Sequence, residues 1–345
     1  MLGTLLKVND VHIDFNTDYG VIQAVRGVSF ELNAGETLAI VGESGCGKSV
    51  LCKSIARILP HSGLIREGNV YFNGIDLTLL SPKEMNRIRG KEIAMVFQDA
   101  FSALDPTCTI GSQIIEAIRI HEKISRNEAK RRAIQLLGQV EIDSPQQRLT
   151  QYPHQFSGGM CQRVVLAIAL ACGPKLLIAD EPTTALDGTI QAQILKLIKN
   201  LQKTTKAATL FITHDLSVAA QIAQRIAVMY AGKIVEIGTT QEIFGNPRHP
   251  YTWALMSSLP ANSPNKQPLR SIPGLPPNLL HPPCGDAFAA RNAYALAIDY
   301  KQEPPLFQVS NTHFAATWLL DPRAPEITPP ISIGQNNNRR GEPNE

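Results

Sequence analysis

The sequence has no apolar run long enough to cross a bilayer. About 18 residues would be needed, and the longest greasy stretch, Val164 to Cys172, is about half that. The opening residues alternate like a strand and lack the basic start and small-residue cleavage site of a signal peptide. The chain is therefore expected in the cytosol, with any membrane role reached through partners. Paired cysteines are missing too. Cys46, Cys52, Cys108, Cys161, Cys172 and Cys284 are scattered and form no C-x-x-C pair, which argues for reduced thiols and against disulfides or a thiolate metal site. Neither sign of charge dominates: 33 basic and 30 acidic residues give +3, without a polybasic cluster, so no nucleic-acid partner is expected. There is no internal repeat. What is present is ordinary globular material, 345 residues with 43% hydrophobic and 18% charged. That suits one large domain with an appendage, or two modest domains.

The order of patterns predicts an α/β core. Residues 5–15 and 21–32 read as strands around a turn at Asp18–Gly20. A buried strand, Thr37–Val41, leads into a glycine-rich loop and a helix over 48–58. Apolar runs recur at Ile93–Phe97, Leu176–Ala179, Thr209–Thr213 and Arg225–Tyr230, alternating with helical patterns, which implies a mainly parallel sheet. Between Asp99 and Gln155 the pattern is helical only, at Gly111–His121 and Asn127–Val140, as for a helical insertion. Residues 261–283 are proline-rich and read as a linker or arm. Residues 284–325 hold enough aromatics to pack, and 326–345 read as a disordered tail.

Chemistry is concentrated in a few spacings. Gly42-Glu43-Ser44-Gly45-Cys46-Gly47-Lys48-Ser49 fits G-x-x-x-x-G-K-[ST]. Glycines let backbone N–H groups close around a phosphate, Lys48 can reach the β- and γ-phosphates, and Ser49 offers a hydroxyl to Mg²⁺. The strand Leu176–Ala179 runs directly into Asp180-Glu181-Pro182. At a strand tip beside the loop, Asp180 can hold Mg²⁺ through a water, and Glu181 can polarise an attacking water. Phe156-Ser157-Gly158-Gly159-Met160, followed by Gln162-Arg163, opens an apolar helix whose N-terminus is a second surface for phosphate.

These motifs, in this order over roughly residues 5–260, resemble the ATP-binding-cassette family. The resemblance implies a P-loop NTPase fold. It has a RecA-like core with an antiparallel β subdomain and a helical subdomain over about 99–165, all within 1–260, plus a small C-terminal extension over 261–325. It implies that Ser157–Met160 meets the γ-phosphate held by an opposite subunit, so that two chains sandwich the nucleotide. It identifies Gln98 with the Q-loop glutamine that senses Mg²⁺ and water. Ala185-Leu186-Asp187 matches the D-loop at the dimer interface, His214 the switch histidine at the γ-phosphate, and Tyr19 the aromatic on adenine, with Phe15 the weaker candidate. Phe156 stands where leucine is usual. Cys161 stands where relatives commonly have Arg, which removes a positive charge just past the signature.

Phe101-Ser-Ala-Leu-Asp-Pro106, His249-Pro-Tyr-Thr252 and Ile272-Pro-Gly-Leu-Pro-Pro277 narrow the resemblance to the D-type ATPase of dipeptide and oligopeptide importers. Such a subunit is a peripheral ATPase at the cytoplasmic face of the cell membrane. It pairs with an F-type paralogue and two integral membrane permeases, and works with an extracytoplasmic peptide-binding protein. Another small cargo such as nickel, or a non-transport ATPase of the same family, remains an alternative. Many relatives hold an iron–sulfur cluster through C-x-F-x-x-R-C-x-x-A-x-x-x-C and a later cysteine. Here Phe288, Arg291 and Ala295 remain, but the ligand positions are Asp286, Asn292, Asp299 and Thr317. Iron–sulfur ligation needs soft thiolates, so no cluster is expected, and aromatic packing with carboxylate or amide hydrogen bonds should hold the segment instead.

Overall fold

The computed structural model describes residues 3–184, 186–259 and 272–330. Ala185, residues 261–271 of the expected linker and the tail beyond 330 lie outside the described residues. The chain divides into two compact units, one of Met1–Ile234 with Asn278–Pro282 and one of Val235–Pro277 with Pro283–Glu345.

The first unit begins with a hairpin of β1 (Thr4–Thr17) and β2 (Gly20–Asn33). A parallel strand set comes next in sequence: β3 (Thr37–Val41), then, after β4 (Gly63–Phe72) and β5 (Ile75–Asp76), β6 (Ile93–Val96), β7 (Leu176–Asp180), β8 (Ala208–Thr213) and β9 (Arg225–Tyr230). Strands β2-β1-β4-β5 form an antiparallel sheet, and β9-β3-β8-β7-β6 lie side by side in parallel. Every residue of β3, β7 and β8 is buried. Continuous apolar runs of this kind are what a parallel strand covered on both faces requires. The β4 strand is not legible in the sequence because Arg66-Glu67-Gly68-Asn69 breaks its apolar pattern. It owes its place to an eight-pair register with β1, from Leu6↔Phe72 to Phe15↔Gly63.

Helix α1 (Lys48–Ile55) ends short of the expected Ile58. Arg57 turns left-handed at φ 51°, and the Ile58 N–H returns to the Lys53 carbonyl at 2.9 Å. This six-to-one closure stops a helix, and Pro60 prevents its resumption. After α2 (Pro82–Ile88), the helical insertion comprises α3 (Ala100–Ala103), α4 (Ile110–His121), α5 (Arg126–Gln139), α6 (Pro145–Arg148) and α7 (Gly158–Leu170). Ile110, Ile114 and Ile118 of α4 and Ala129, Ala133 and Leu137 of α5 are buried at helical spacing. Helices α8 (Gly188–Thr205) and α9 (Leu216–Ile222) complete the unit. Among the described residues, no helix is long and apolar enough to cross a membrane.

The second unit holds β10 (Lys233–Thr239), α10 (Thr240–Gly245), α11 (Pro250–Ser257), β11 (Phe307–Gln308) and β12 (Phe314–Ala315), with β12 paired to both β10 and β11. Glu236, fully buried on β10, accepts from the N–H groups of Arg248 (2.6 Å) and His249 (3.1 Å) and lies 2.7 Å from His313 Nε2. Phe288 packs on Tyr251, and Tyr294 meets Trp253 edge-on. Asp286, Asn292, Asp299 and Thr317 are all buried. Each accepts a backbone N–H: from Phe288 (2.9 Å), Tyr294 (2.9 Å), Leu296 (2.6 Å) and Leu319 (3.3 Å) respectively. Oxygen acceptors thus cap tight turns at the positions where the resemblance would place thiolates.

Burial pushes the Asp286 carboxyl up to about 6, against the lowering effect of the Phe288 N–H and with help from Asp299 and Glu303. A carboxyl raised on folding stabilises the fold while protonated, and that contribution is lost as pH climbs from the unfolded value near 3.8 through about 6. Ionised at neutral pH, Asp286 costs on the order of 3 kcal/mol. Both tryptophans, Trp253 and Trp318, lie in this unit. Urea unfolding followed by tryptophan fluorescence should therefore show a midpoint that falls between pH 4 and pH 7. Asp286→Asn keeps the turn acceptor and should flatten that slope while raising the midpoint at pH 7.

Candidate functional site

Five parallel strands in register bring their carboxyl ends to one edge. Val41 pairs with Thr213, and Asp180 with Ile212. The residues just past each strand are therefore set at nearly the same height: the glycine loop after β3, Glu181 after β7, His214 after β8 and, one residue past Phe97, Gln98 after β6. In open parallel sheets this edge is where ligands bind.

The loop glycines answer to their surroundings. A Cβ on Gly42 would sit 2.0 Å from the Met229 carbonyl oxygen, and one on Gly47 2.4 Å from that of Ala24. Gly47 also adopts φ 104°, where side chains are strained. Lys48, only 4% exposed, donates from Nζ to the carbonyls of Gly42 (2.8 Å) and Glu43 (2.9 Å) and lies 3.9 Å from Glu181 Oε1. Its ammonium is held over the loop by exchangeable acceptors. The Cys46 thiol is buried and pushed up by that burial, so it is an inert wall of the loop.

Ser49 Oγ donates to Asp180 Oδ1 at 2.7 Å. Burial raises the Asp180 carboxyl, while Ser49 and the lysines oppose the rise. A hydroxyl and a carboxylate in contact are hard oxygen donors that fit Mg²⁺, which keeps several waters and takes its other ligands from phosphate. That explains why, among the described residues, no group of three or more His, Cys, Asp or Glu is arranged as a metal cage. In the second unit the donor set does not fit an iron–sulfur cluster: Asp286, Asn292, Asp299 and Thr317 supply oxygens already engaged by N–H groups, and Cys284 is exposed.

Glu181 is the hub. Gln98 Nε2 (3.5 Å), His214 Nδ1 (3.2 Å) and the Thr184 hydroxyl (2.8 Å) all reach its Oε2. The structure thus brings Lys48, Gln98, Glu181 and His214 together, with Ser49 and Asp180 paired beside them. Thr184 does not emerge from the sequence. The available signal is a hydroxyl residue three positions after the acid in a proline-containing turn.

The signature forms a separate surface. Ser157 caps α7, accepting from the Met160 N–H at 3.4 Å. A Cβ on Gly159 would lie 2.7 Å from Ile190, while one on Gly158 would meet Phe101 and Leu186 at ordinary contact. Asp187 caps α8, accepting from the N–H groups of Thr189 and Ile190. Cys161 is fully buried on α7, its thiol pushed up to about 11 by burial and lying 3.6 Å from the Pro153 carbonyl. Its side chain faces the interior. Tyr19 is 89% exposed at the hairpin turn, whereas Phe15 is half-buried against Gly63. Between the two, Tyr19 has the free ring.

Known proteins resemble this chain over nearly its full length. Residues 25–184 match the ABC transporter family, and residues 235–298 match the oligopeptide/dipeptide transporter C-terminal region. The oligopeptide transport ATP-binding protein OppD of Bacillus subtilis is 56% identical over 95% of this chain and 92% of its own length. The dipeptide transport ATP-binding protein DppD of Lactococcus lactis is 54% identical over 95% of each. Among solved structures, the ATP-binding cassette MJ0796, captured as a dimer bound to ADP and Pi, superposes with a TM-score of 0.62 at 29% identity, covering 68% of this chain and 98% of that one. A phosphate loop, a strand-tip acid pair and a capped signature helix on this sheet order, together with relatives matched over nearly their full lengths, make this chain a member of the ABC transporter ATP-binding family, in the group that carries the oligopeptide/dipeptide transporter C-terminal region.

Proposed function

We propose that this chain is the ATP-hydrolysing subunit that powers uptake of oligopeptides or dipeptides through an ABC importer. The observation that carries the reading is the convergence of Lys48, Gln98, Glu181 and His214 beside the Ser49–Asp180 pair. The peptide cargo rests on the named transport roles of relatives matched over both the cassette and the C-terminal region.

In the resting arrangement Lys48 is satisfied by loop carbonyls and Glu181. An incoming triphosphate offers stronger acceptors to Lys48 and to the N–H groups of Gly42–Ser49, and the ring of Tyr19 is free to stack on adenine. Ser49 and Asp180 would hold Mg²⁺, which supplies charge neutralisation on the β- and γ-phosphates. Glu181 takes a proton from water as the water oxygen bonds to the γ-phosphorus and the bond to the β-phosphate oxygen breaks, leaving ADP and phosphate. Gln98 and His214 orient that centre, and His214 donates to the γ-phosphate. Ser157–Met160 closes over the nucleotide of a partner ATPase, the F-type paralogue, whose own signature closes over this one. Asp187 lies on that interface.

The wider assembly is part of the same reading. Two integral membrane permeases receive the motion of the helical insertion near Gln98–Pro106, an extracytoplasmic binding protein delivers the peptide, and the chain works at the cytoplasmic face of the membrane. Residues 1–260 act as the cassette and 261–325 as the extension, without an iron–sulfur cluster.

Glu181→Gln should bind ATP with little change and slow steady-state hydrolysis about 100-fold or more, with closed dimers accumulating in gel filtration with MgATP. Turnover at the normal rate would remove Glu181 as base. Tyr19→Ala should weaken binding of a fluorescent ATP analogue several-fold while Tyr19→Phe does not. Aerobic protein should show no absorbance shoulder near 400 nm (the region of sulfur-to-iron charge transfer), and stoichiometric iron with such a shoulder would overturn the cluster-free reading.

A further inference from the structure

Glu181 follows β7 with its N–H on the Ile212 carbonyl at 3.1 Å, one step past the last ladder pair, and with its backbone at φ 47°. A left-handed non-glycine residue is strained and persists where the surroundings enforce it. The next turn supplies the enforcement. Pro182 and Thr183 are buried, and the Thr184 N–H closes back on the Glu181 carbonyl at 3.3 Å. The exposed Thr184 then returns its hydroxyl to the same residue's side chain, donating to Oε2 at 2.8 Å.

Two other donors approach that oxygen less closely, His214 Nδ1 at 3.2 Å and Gln98 Nε2 at 3.5 Å, and both are delivered by other strands. The second oxygen, Oε1, faces Lys48 at 3.9 Å, on the side of the phosphate loop. The two carboxylate oxygens are therefore unequal. Oε2 is occupied by donors, one of them fixed within its own turn. Oε1 has the longer Lys48 contact, on the side of the phosphate loop.

We infer that Thr184 is a positioning residue for ATP hydrolysis: its hydroxyl anchors Oε2 of Glu181 so that Oε1 is the oxygen that receives the proton of the attacking water. The inference rests on the reading of Glu181 as the general base. Thr184 works through the Glu181 carboxylate. It acts by holding the carboxylate in one rotamer before Gln98 and His214 rearrange around a bound nucleotide.

The test uses the full chain, purified together with the subunits it assembles with, and compares Thr184→Val, Thr184→Ala and Thr184→Ser with wild type and Glu181→Gln. Binding of a fluorescent ATP analogue establishes that each variant is folded. Thr184→Val and Thr184→Ala should lower kcat about tenfold, the size of one hydrogen bond to a charged group, with KM for ATP within about twofold of wild type. Thr184→Ser, which keeps the hydroxyl, should restore the rate. Normal kcat in Thr184→Val would overturn the inference, as would a Thr184→Ser variant as impaired as Thr184→Val. If Glu181→Gln itself turns over normally, the base assignment fails and this inference with it. If Glu181→Gln is inactive while Thr184→Val is normal, only the role of Thr184 falls.

Discussion

The in-register hydrogen bonding of β3, β8, β7 and β6 is the constraint on which the site depends. Ala39 pairs with Phe211, Phe211 with Ala179 and Ala179 with Val96. Each strand then ends at one level, and the residues just beyond it meet along one edge. A one-residue slip in any pair would turn its side chains to the other face and carry Glu181, His214 or Gln98 out of reach. The buried apolar runs oppose such a slip, since moving them would expose side chains whose burial stabilises the fold by about 1.5–3 kcal/mol each.

Charge at this edge is balanced by the chain's own groups. Lys48 is almost wholly buried and would be costly without partners, and two loop carbonyls with Glu181 supply them. Glu181 is likewise engaged on both oxygens, by Lys48 on one and by Gln98, Thr184 and His214 on the other. The site is thus a closed set of polar contacts.

The second unit solves a different problem. Its segment over 283–330 has little regular secondary structure, so its backbone N–H groups need side-chain acceptors. Asp286, Asn292, Asp299 and Thr317 provide them, while Phe288, Tyr251, Trp253 and Tyr294 supply the apolar contacts. Glu236 and Glu242 extend the same logic to β10 and α10: the first binds two N–H groups and His313, the second receives the hydroxyls of Ser310 and Thr312.

Sequence by itself determined whatever rests on spacing along the chain. The β3–loop–α1 unit, the acid pair at the end of β7 and the capped start of α7 are local, because each joins one apolar run to one turn whose residue types are dictated by backbone geometry. The lack of thiolates at 286, 292, 299 and 317 is legible in the same way, because residue type alone sets how soft a ligand can be. Tertiary structure decided what depends on strands far apart in sequence lying side by side. Only the fold shows that α1 stops at a left-handed Arg57, that β4 joins β1 despite its polar middle, and that Cys161 points inward. Only the fold shows three donors from separate segments converging on one oxygen of Glu181. The physical reason is that strand order and register are cooperative properties of the whole core, whereas a motif reports the conformation of its own few residues.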